Sequence, residues 1–100
     1  MKRLDIIVKC DKVDDTIKAI KAVGVGGVST LQIQGQGREE QPLVGSYARG
    51  MIITVVEDSK VKPILAAVGN VACTNAKGDG KVFISNVEEV MDICTKRMWT

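Results

Sequence analysis

The sequence predicts a mixed α+β domain in which two helices cover one four-stranded sheet, in the order βαββαβ of the ferredoxin-like sandwich. Two patterns support this prediction. Short runs of alternating apolar and polar residues indicate strands, and two segments with apolar residues every three or four positions indicate helices. The length of 100 residues suits one domain, so residues 1–100 are predicted to form a single unit.

The first half of the chain is predicted to form a strand, a helix and a second strand. Residues 3–9 alternate in polarity and indicate the first strand. The helix is indicated by apolar residues at spacings of four, three and three, namely Val13, Ile17, Ile20 and Val23. We expect Asp11 or Asp14 to cap this helix and Gly24 to end it. Residues 28–34 are β-branched and alternating, which indicates the second strand.

The second half begins with a polar, glycine-rich stretch, residues 35–50, that is predicted to be a loop. The continuous apolar run at 51–56 predicts a strand buried on both faces. A second helix is expected to open at Asp58 or Ser59, with an apolar face formed by Val61, Ile64, Leu65, Val68 and Ala72.

The last predicted elements are a sharp turn at residues 77–81 and a fourth strand at 81–85. The tail, residues 87–99, fits either a short strand or a helical turn.

Composition excludes several classes of function. The chain has 14 Lys and Arg against 12 Asp and Glu, a net charge of +2, and only three aromatic residues. It therefore lacks the basic stripe and the stacking platforms of nucleic-acid-binding proteins, and nucleic acid is not expected as a partner. No signal peptide or membrane-spanning run is recognisable, so a cytoplasmic protein without membrane insertion is predicted.

Metal and thiol chemistry are not expected either. The chain has no histidine, and its three cysteines, Cys10, Cys73 and Cys94, show no CxxC spacing. Since a zinc site or a Cys–His pair cannot be built in the usual way from these residues, no metal site and no catalytic residue are predicted. The cysteines are interpreted as small buried apolar residues in a reducing compartment.

Two glycine-rich segments have the chemistry of an anion site: Gly35-Gln36-Gly37-Arg38 after the second strand, and Lys77-Gly78-Asp79-Gly80-Lys81 before the fourth. Glycines let several backbone N–H groups approach one phosphate. In the βαββαβ fold the sheet order is 4-1-3-2, so the two segments lie on opposite edges, about 14 Å apart at ~4.8 Å per strand. If both hold one ligand, the site must lie between subunits of a cyclic oligomer.

Several motifs, in order along nearly the whole chain, resemble the PII signal-transduction family. The opening residues 1–9 resemble its first strand, and residues 23–29 (VGVGGVS) resemble its turn into the second strand. Gly35-Gln36-Gly37-Arg38 is similar to the start of its T-loop, the long loop that touches partners. The most specific likeness is residues 78–84 (GDGKVFI), which match its B-loop and the strand after it.

This resemblance implies a homotrimer that binds adenine nucleotides in three clefts between subunits. It also implies the residues of that cleft, position by position. The pocket would be lined by Ile7, Gly35, Gly37 and Arg38; the base would be held by Val55, Gly27, Val28 and Ser29; and the phosphates would be held by Gly78, Asp79, Gly80 and Lys81.

The chain also departs from the family pattern. The loop after Gly37 is shorter than the usual T-loop, which indicates a divergent PII-like member. Two arginines that the family places near the outer phosphates correspond to Asp92 and Cys94 here. Because a carboxylate near a triphosphate is unfavourable, ADP or AMP is expected to bind at least as well as ATP.

The leading hypothesis is therefore a non-catalytic regulator that binds ADP, AMP or ATP and acts through its T-loop on a partner, such as a membrane transporter or a metabolic enzyme. One alternative is a structural or metal-tolerance trimer of the same architecture that binds no nucleotide. Another is a small phosphatase, but residues 9–13 (KCDKV) lack the arginine–asparagine pair that such an enzyme needs.

Overall fold

A computed structural model describes residues 1–35 and 47–99 of the chain. It shows the predicted βαββαβ order, followed by a small terminal hairpin. The elements are β1 (Lys2–Lys9), α1 (Val13–Ala22), β2 (Ser29–Gly35), β3 (Tyr47–Val56), α2 (Asp58–Ala72), β4 (Gly80–Asn86), β5 (Val90–Met91) and β6 (Met98–Trp99). A single 3₁₀ turn, Cys10–Lys12, connects β1 to α1. In the part described, no helix is both long and apolar enough to cross a membrane.

The main sheet has the strand order β2-β3-β1-β4, with all neighbours antiparallel. This confirms the predicted ferredoxin-like topology, in which β2 and β4 form the two edges. One row of the register runs Gly80–Val8–Gly50–Gln32 across all four strands. The start of β4 and the last part of β2 therefore lie toward the same end of the sheet, on opposite edges.

The core lies between the two helices and one face of the sheet. Alternate residues of β1 point into it, as the strand period of two requires. The buried apolar residues are Leu4, Ile6, Val8, Ile20, Ile52, Val56, Ile64, Val68 and Ala72. Two threonines are also buried: the Thr16 hydroxyl donates to the Lys12 carbonyl at 2.6 Å, and that of Thr54 to the Gly27 carbonyl at 2.8 Å. Both buried hydroxyls are thus satisfied.

The predicted loop at 35–50 is wrong at both ends, because β2 extends to Gly35 and β3 begins at Tyr47. Glycine content suggested a loop, but Arg49 and Gly50 pair with Lys9 and Val8 of β1. Gly50 is required there because a Cβ at this position would collide with the Val13 side chain. The remainder of that loop, 36–46, lies outside the described residues.

The prediction that residues 51–56 are buried on both faces is also wrong within one subunit. Ile52, Thr54 and Val56 face the helices and are buried, whereas Val55 is exposed. The helices cover only one side of the sheet, so the other side, here called the open face, keeps its apolar side chains uncovered.

The helix ends follow the prediction in part. Gly24 ends α1 with a positive φ of 101°, as expected. Neither Asp11 nor Asp14 caps it, because the 3₁₀ turn intervenes and Lys12, without a side-chain cap, occupies the N-cap position. The expectation of buried cysteines is wrong: all three are exposed, in the 3₁₀ turn, just after α2 and in the terminal hairpin.

The tail forms a hairpin of two short strands, β5 and β6. The indole N–H of Trp99 donates to the Asp92 carboxylate at 3.2 Å, and the Arg97 guanidinium lies 5.5 Å from the centre of the Trp99 ring. Ile93 and Met98 are exposed along the hairpin. The Asp92 carboxylate thus has a hydrogen-bond donor within the hairpin itself.

Candidate functional site

The centre of the candidate site is the glycine loop, residues 77–81, which leads into the edge strand β4. Gly78 and Gly80 have φ angles of +80° and +132°, in the region that favours glycine over other residues. A Cβ at Gly80 would collide with the carbonyl oxygen of Ile7 on β1 and lie 3.2 Å from the Cα of Val8. The end of the loop therefore packs directly against the backbone of β1, which explains why position 80 is a glycine.

Asp79 holds this loop in shape. Its carboxylate accepts hydrogen bonds from the Thr74 backbone N–H at 2.7 Å, the Thr74 hydroxyl at 2.5 Å and the Ala76 N–H at 3.3 Å. The ammonium group of Lys9, at the end of β1, lies 3.1 Å from the same carboxylate. One side chain thus joins the end of α2, the loop and β1.

These contacts lower the pKa of Asp79 well below its usual range. The hydrogen bond from the Thr74 hydroxyl is the largest cause, and the Thr74 backbone N–H adds to it. Desolvation acts in the opposite direction, whereas Lys9 and the Ala76 N–H lower the pKa further. The carboxylate therefore stays ionised throughout the neutral and mildly acidic range.

We expect Asp79→Asn to destabilise the fold at pH 7 and progressively less at low pH. The pKa of Asp79 is lower in the folded chain than its value of about 3.9 in an unfolded chain. Its ionised form therefore stabilises the fold above pH ~4, and this contribution is lost as the pH falls through the folded pKa. Urea midpoints of both proteins at pH 7, 5 and 3 measure the effect. An equal difference at all three pH values would contradict it.

Cations surround the glycine loop from three strands. Lys81, the second residue of β4, pairs with Ile7, and Arg49 on β3 pairs with Lys9 on β1, all on the open face. A terminal nitrogen of the Arg49 guanidinium lies 3.0 Å from the position that a Cβ on Gly78 would take. Among the described residues, Lys9, Lys81 and Arg49 bring positive charge to the loop and Asp79 brings negative charge, a set that suits an anionic ligand. No group of three metal-ligating side chains is present among residues 1–35 and 47–99.

A groove of about 280 Å³ extends from the glycine loop between α2 and β4. Its lining combines the charged residues Asp79 and Lys81 with apolar side chains that include Leu65 and Val82. Such a groove has room for an apolar ring system next to a charged group.

Of the other predicted site residues that the structure describes, only Ile7 lies near the glycine loop. Ile7 lies beside Lys81, close to the glycine loop. Val55 pairs with Arg3, which is four residues from Ile7 along β1, so Val55 lies about 13 Å from Ile7 in the strand direction. Ser29 pairs with Ile53, and Gly27 and Val28 precede it, so these residues lie nearer Val55 than the loop. Gly35 ends β2. Gly37 and Arg38 lie outside the described residues.

A second groove, of about 440 Å³, lies at the opposite edge of the sheet. Thr30, Leu31 and Gln32 of β2 form one side, and Cys10, Val13 and Asp14 form the other. Because three strand spacings separate it from the glycine loop, the two grooves do not form one cavity within the chain.

Three residues of the site were not predicted from the sequence: Lys9, Arg49 and Thr74. Lys9 and Arg49 are brought to the loop by the register of the strands, which the amino-acid composition does not reveal. Thr74 had a recognisable signal, since a threonine shortly before Gly-Asp-Gly can bond the aspartate across a turn.

Comparison with known proteins identifies the class to which this fold and loop belong. The family model described as nitrogen regulatory protein P-II matches residues 1–97. The chain therefore belongs to the P-II family of signalling regulators, as its motifs indicated.

Individual relatives cover almost the whole chain. The nitrogen regulatory protein P-II of Rhizobium meliloti is 32% identical over 104 aligned residues, which span 95% of this chain and 93% of the relative. The protein of the same name from Azospirillum brasilense is 33% identical with the same coverage. That of Pasteurella multocida is 30% identical, again with the same coverage.

Proposed function

We propose that this protein is a non-catalytic regulator that binds an adenine nucleotide between the subunits of a homotrimer. The observation that carries the proposal is the glycine loop. Its two positive-φ glycines and the cations near it suit phosphate groups, and the hydrogen bonds and ion pair of Asp79 order it before any ligand arrives. A loop that is already ordered loses little conformational entropy when it binds.

The two edges of the sheet support a site between subunits. One edge carries the glycine loop and its groove, and the other carries the end of β2 with a second groove. A single subunit cannot bring them together, whereas a cyclic arrangement places one edge of each subunit against the other edge of its neighbour. Gly35, Gly37 and Arg38 would then meet the loop formed by Gly78, Asp79, Gly80 and Lys81.

The open face supports self-association. It carries exposed apolar side chains on three strands, with Phe83 at 53%, Leu31 at 44% and Val55 at 39% exposure. Ile7, Met51 and Ile53 lie between them and are half-buried. A continuous apolar surface across a sheet is unusual for a monomer and typical of an interface. Two further copies of the chain would cover it.

Regulation would pass through residues 36–46, the loop that joins β2 to β3. These residues follow directly from the β2 end of the proposed cleft, so a bound nucleotide would alter the conformations open to them and thereby the affinity for a protein partner. A membrane transporter or a metabolic enzyme is the class of partner we propose. Of the ligands, ADP or AMP is expected to bind at least as well as ATP.

Isothermal titration of the purified protein with AMP, ADP and ATP tests the proposal. Lys81→Ala should weaken binding of the preferred nucleotide about tenfold, the equivalent of one charge-assisted hydrogen bond. Lys62→Ala is the matched control, because Lys62 is an exposed lysine in the first half of α2 and should leave the affinity unchanged. Absence of binding to all three nucleotides at millimolar concentration would overturn the proposal and favour a structural trimer.

A further inference from the structure

We infer that Arg49 binds the terminal phosphate of the bound nucleotide and makes ADP bind more tightly than AMP. This inference rests on the proposed function and deepens it, since it names the group that distinguishes two ligands of the same site. It starts from the position of the Arg49 guanidinium, whose terminal nitrogen approaches Gly78 to within 3.0 Å of where a Cβ would be.

The strand register explains how this arginine reaches the loop. Arg49 belongs to β3, which is separated from β4 by β1. Its Cα pairs with Lys9, so its side chain crosses the end of β1 on the open face before it meets Gly78. Its Nη1 also donates to the Ala48 carbonyl at 3.0 Å, which helps to orient the guanidinium.

The cations therefore approach the glycine loop from two sides. Lys81 enters from β4, and Arg49 enters from β3, two strands away. Lys9 lies between them, but its charge is balanced by the Asp79 carboxylate. One phosphate at the loop amides would be served by Lys81, and a second phosphate bonded to it would extend toward Arg49. A guanidinium fork matches the oxygens of a terminal phosphate better than an ammonium group does.

Arg49 would supply the positive charge for the outer phosphate that the family takes from two arginines, whose positions hold Asp92 and Cys94 in this chain. Asp92 is held in the terminal hairpin by the Trp99 indole. Arg49 instead belongs to a strand of the main sheet, within the same subunit as the glycine loop. The outer phosphate of ADP can therefore be bound without an arginine from the last strand.

Titration of wild-type protein, Arg49→Gln and Arg49→Lys with ADP, AMP and sodium pyrophosphate tests the inference. Arg49→Gln should weaken ADP and pyrophosphate about tenfold and AMP less than twofold, and Arg49→Lys should have an intermediate effect because it keeps the charge without the fork. Lys18→Gln, which removes an exposed positive charge from α1, is the matched control and should change none of them. Circular dichroism and urea midpoints establish that the variants are folded.

The outcomes separate this inference from the proposed function. Suppose that wild-type protein binds ADP and that Arg49→Gln weakens the affinities for ADP and AMP equally, or changes neither affinity. Arg49 then has no such role, and the proposed function stands. If wild-type protein binds pyrophosphate in an Arg49-dependent way but no nucleotide, the proposed function is wrong and the Arg49 anion site is supported. Absence of binding to both ADP and pyrophosphate overturns the two together.

Discussion

Gly80→Ala is expected to lower the free energy of unfolding by about 3 kcal/mol or more, through backbone strain and steric overlap together. The φ angle of +132° disfavours any residue with a Cβ, and that Cβ would also collide with the Ile7 carbonyl oxygen of the neighbouring strand. Since the backbone of β1 is held between β3 and β4, it cannot move aside, and the glycine loop must separate from it. Nucleotide binding should be lost with the loop geometry.

Urea denaturation at equal protein concentration measures the change in stability, with Gly69→Ala as the matched control. Gly69 lies within α2 and is exposed, and a Cβ added there would meet no heavy atom within 4 Å beyond its own helix backbone. Alanine there should stabilise the protein by about 0.5–1 kcal/mol, because glycine is unfavourable in a helix interior. If Gly80→Ala unfolds at the same urea concentration as wild type, the described approach of the loop to β1 is wrong.

Phe83→Glu is expected to convert the proposed trimer into folded monomers. Phe83 lies on the open face of β4, opposite Asp5, and more than half of its surface is exposed in the single subunit. Burying a phenylalanine stabilises an interface by about 1.5–3 kcal/mol, and a trimer would bury three. Glutamate removes this contribution and brings carboxylates into an apolar interface, where their desolvation costs several kcal/mol more.

Analytical ultracentrifugation measures the mass of wild type, Phe83→Glu and the control Ala66→Glu. Ala66 is exposed on α2, away from the sheet, so a carboxylate there should leave the assembly intact. Circular dichroism should show unchanged secondary structure in both variants, since Phe83 is not in the core between helices and sheet. A trimer mass for Phe83→Glu would contradict the assignment of the open face as the interface.

Most of the fold could be predicted from the sequence because periodicity and topology agree. The spacing of Val13, Ile17 and Ile20 predicted α1, and the βαββαβ order led directly to the observed strand order. The start of β3 could not be predicted in the same way. Its glycine content places Gly50 in a loop, and the position of Val13 beneath it explains why glycine occurs within a strand there.

The sequence indicates the part of the candidate site that lies within one short motif. It does not indicate the contacts between residues that are far apart in the chain. The composition of the Gly78-Asp79-Gly80 motif is enough to predict a tight turn. The resemblance implies that Asp79 belongs to the phosphate site, and its contacts add that its carboxylate accepts three hydrogen bonds from its own chain and pairs with Lys9. Arg49 is 29 residues away from Gly78 along the chain, so its approach depends on strand register that no local pattern contains.

The contacts of Asp79 have a consequence for how such a regulator would respond to acidity. Its carboxylate keeps its charge because its pKa is lowered by the Thr74 hydroxyl, and the chain has no histidine, the side chain that most often changes charge near neutrality. If the proposed nucleotide binds at this loop, its phosphate, whose second pKa is about 6, would bring a group that titrates between about pH 5 and 7. In such a regulator, mild acidification would leave the charge of Asp79 unchanged and would act at the loop through the ionisation of the bound phosphate.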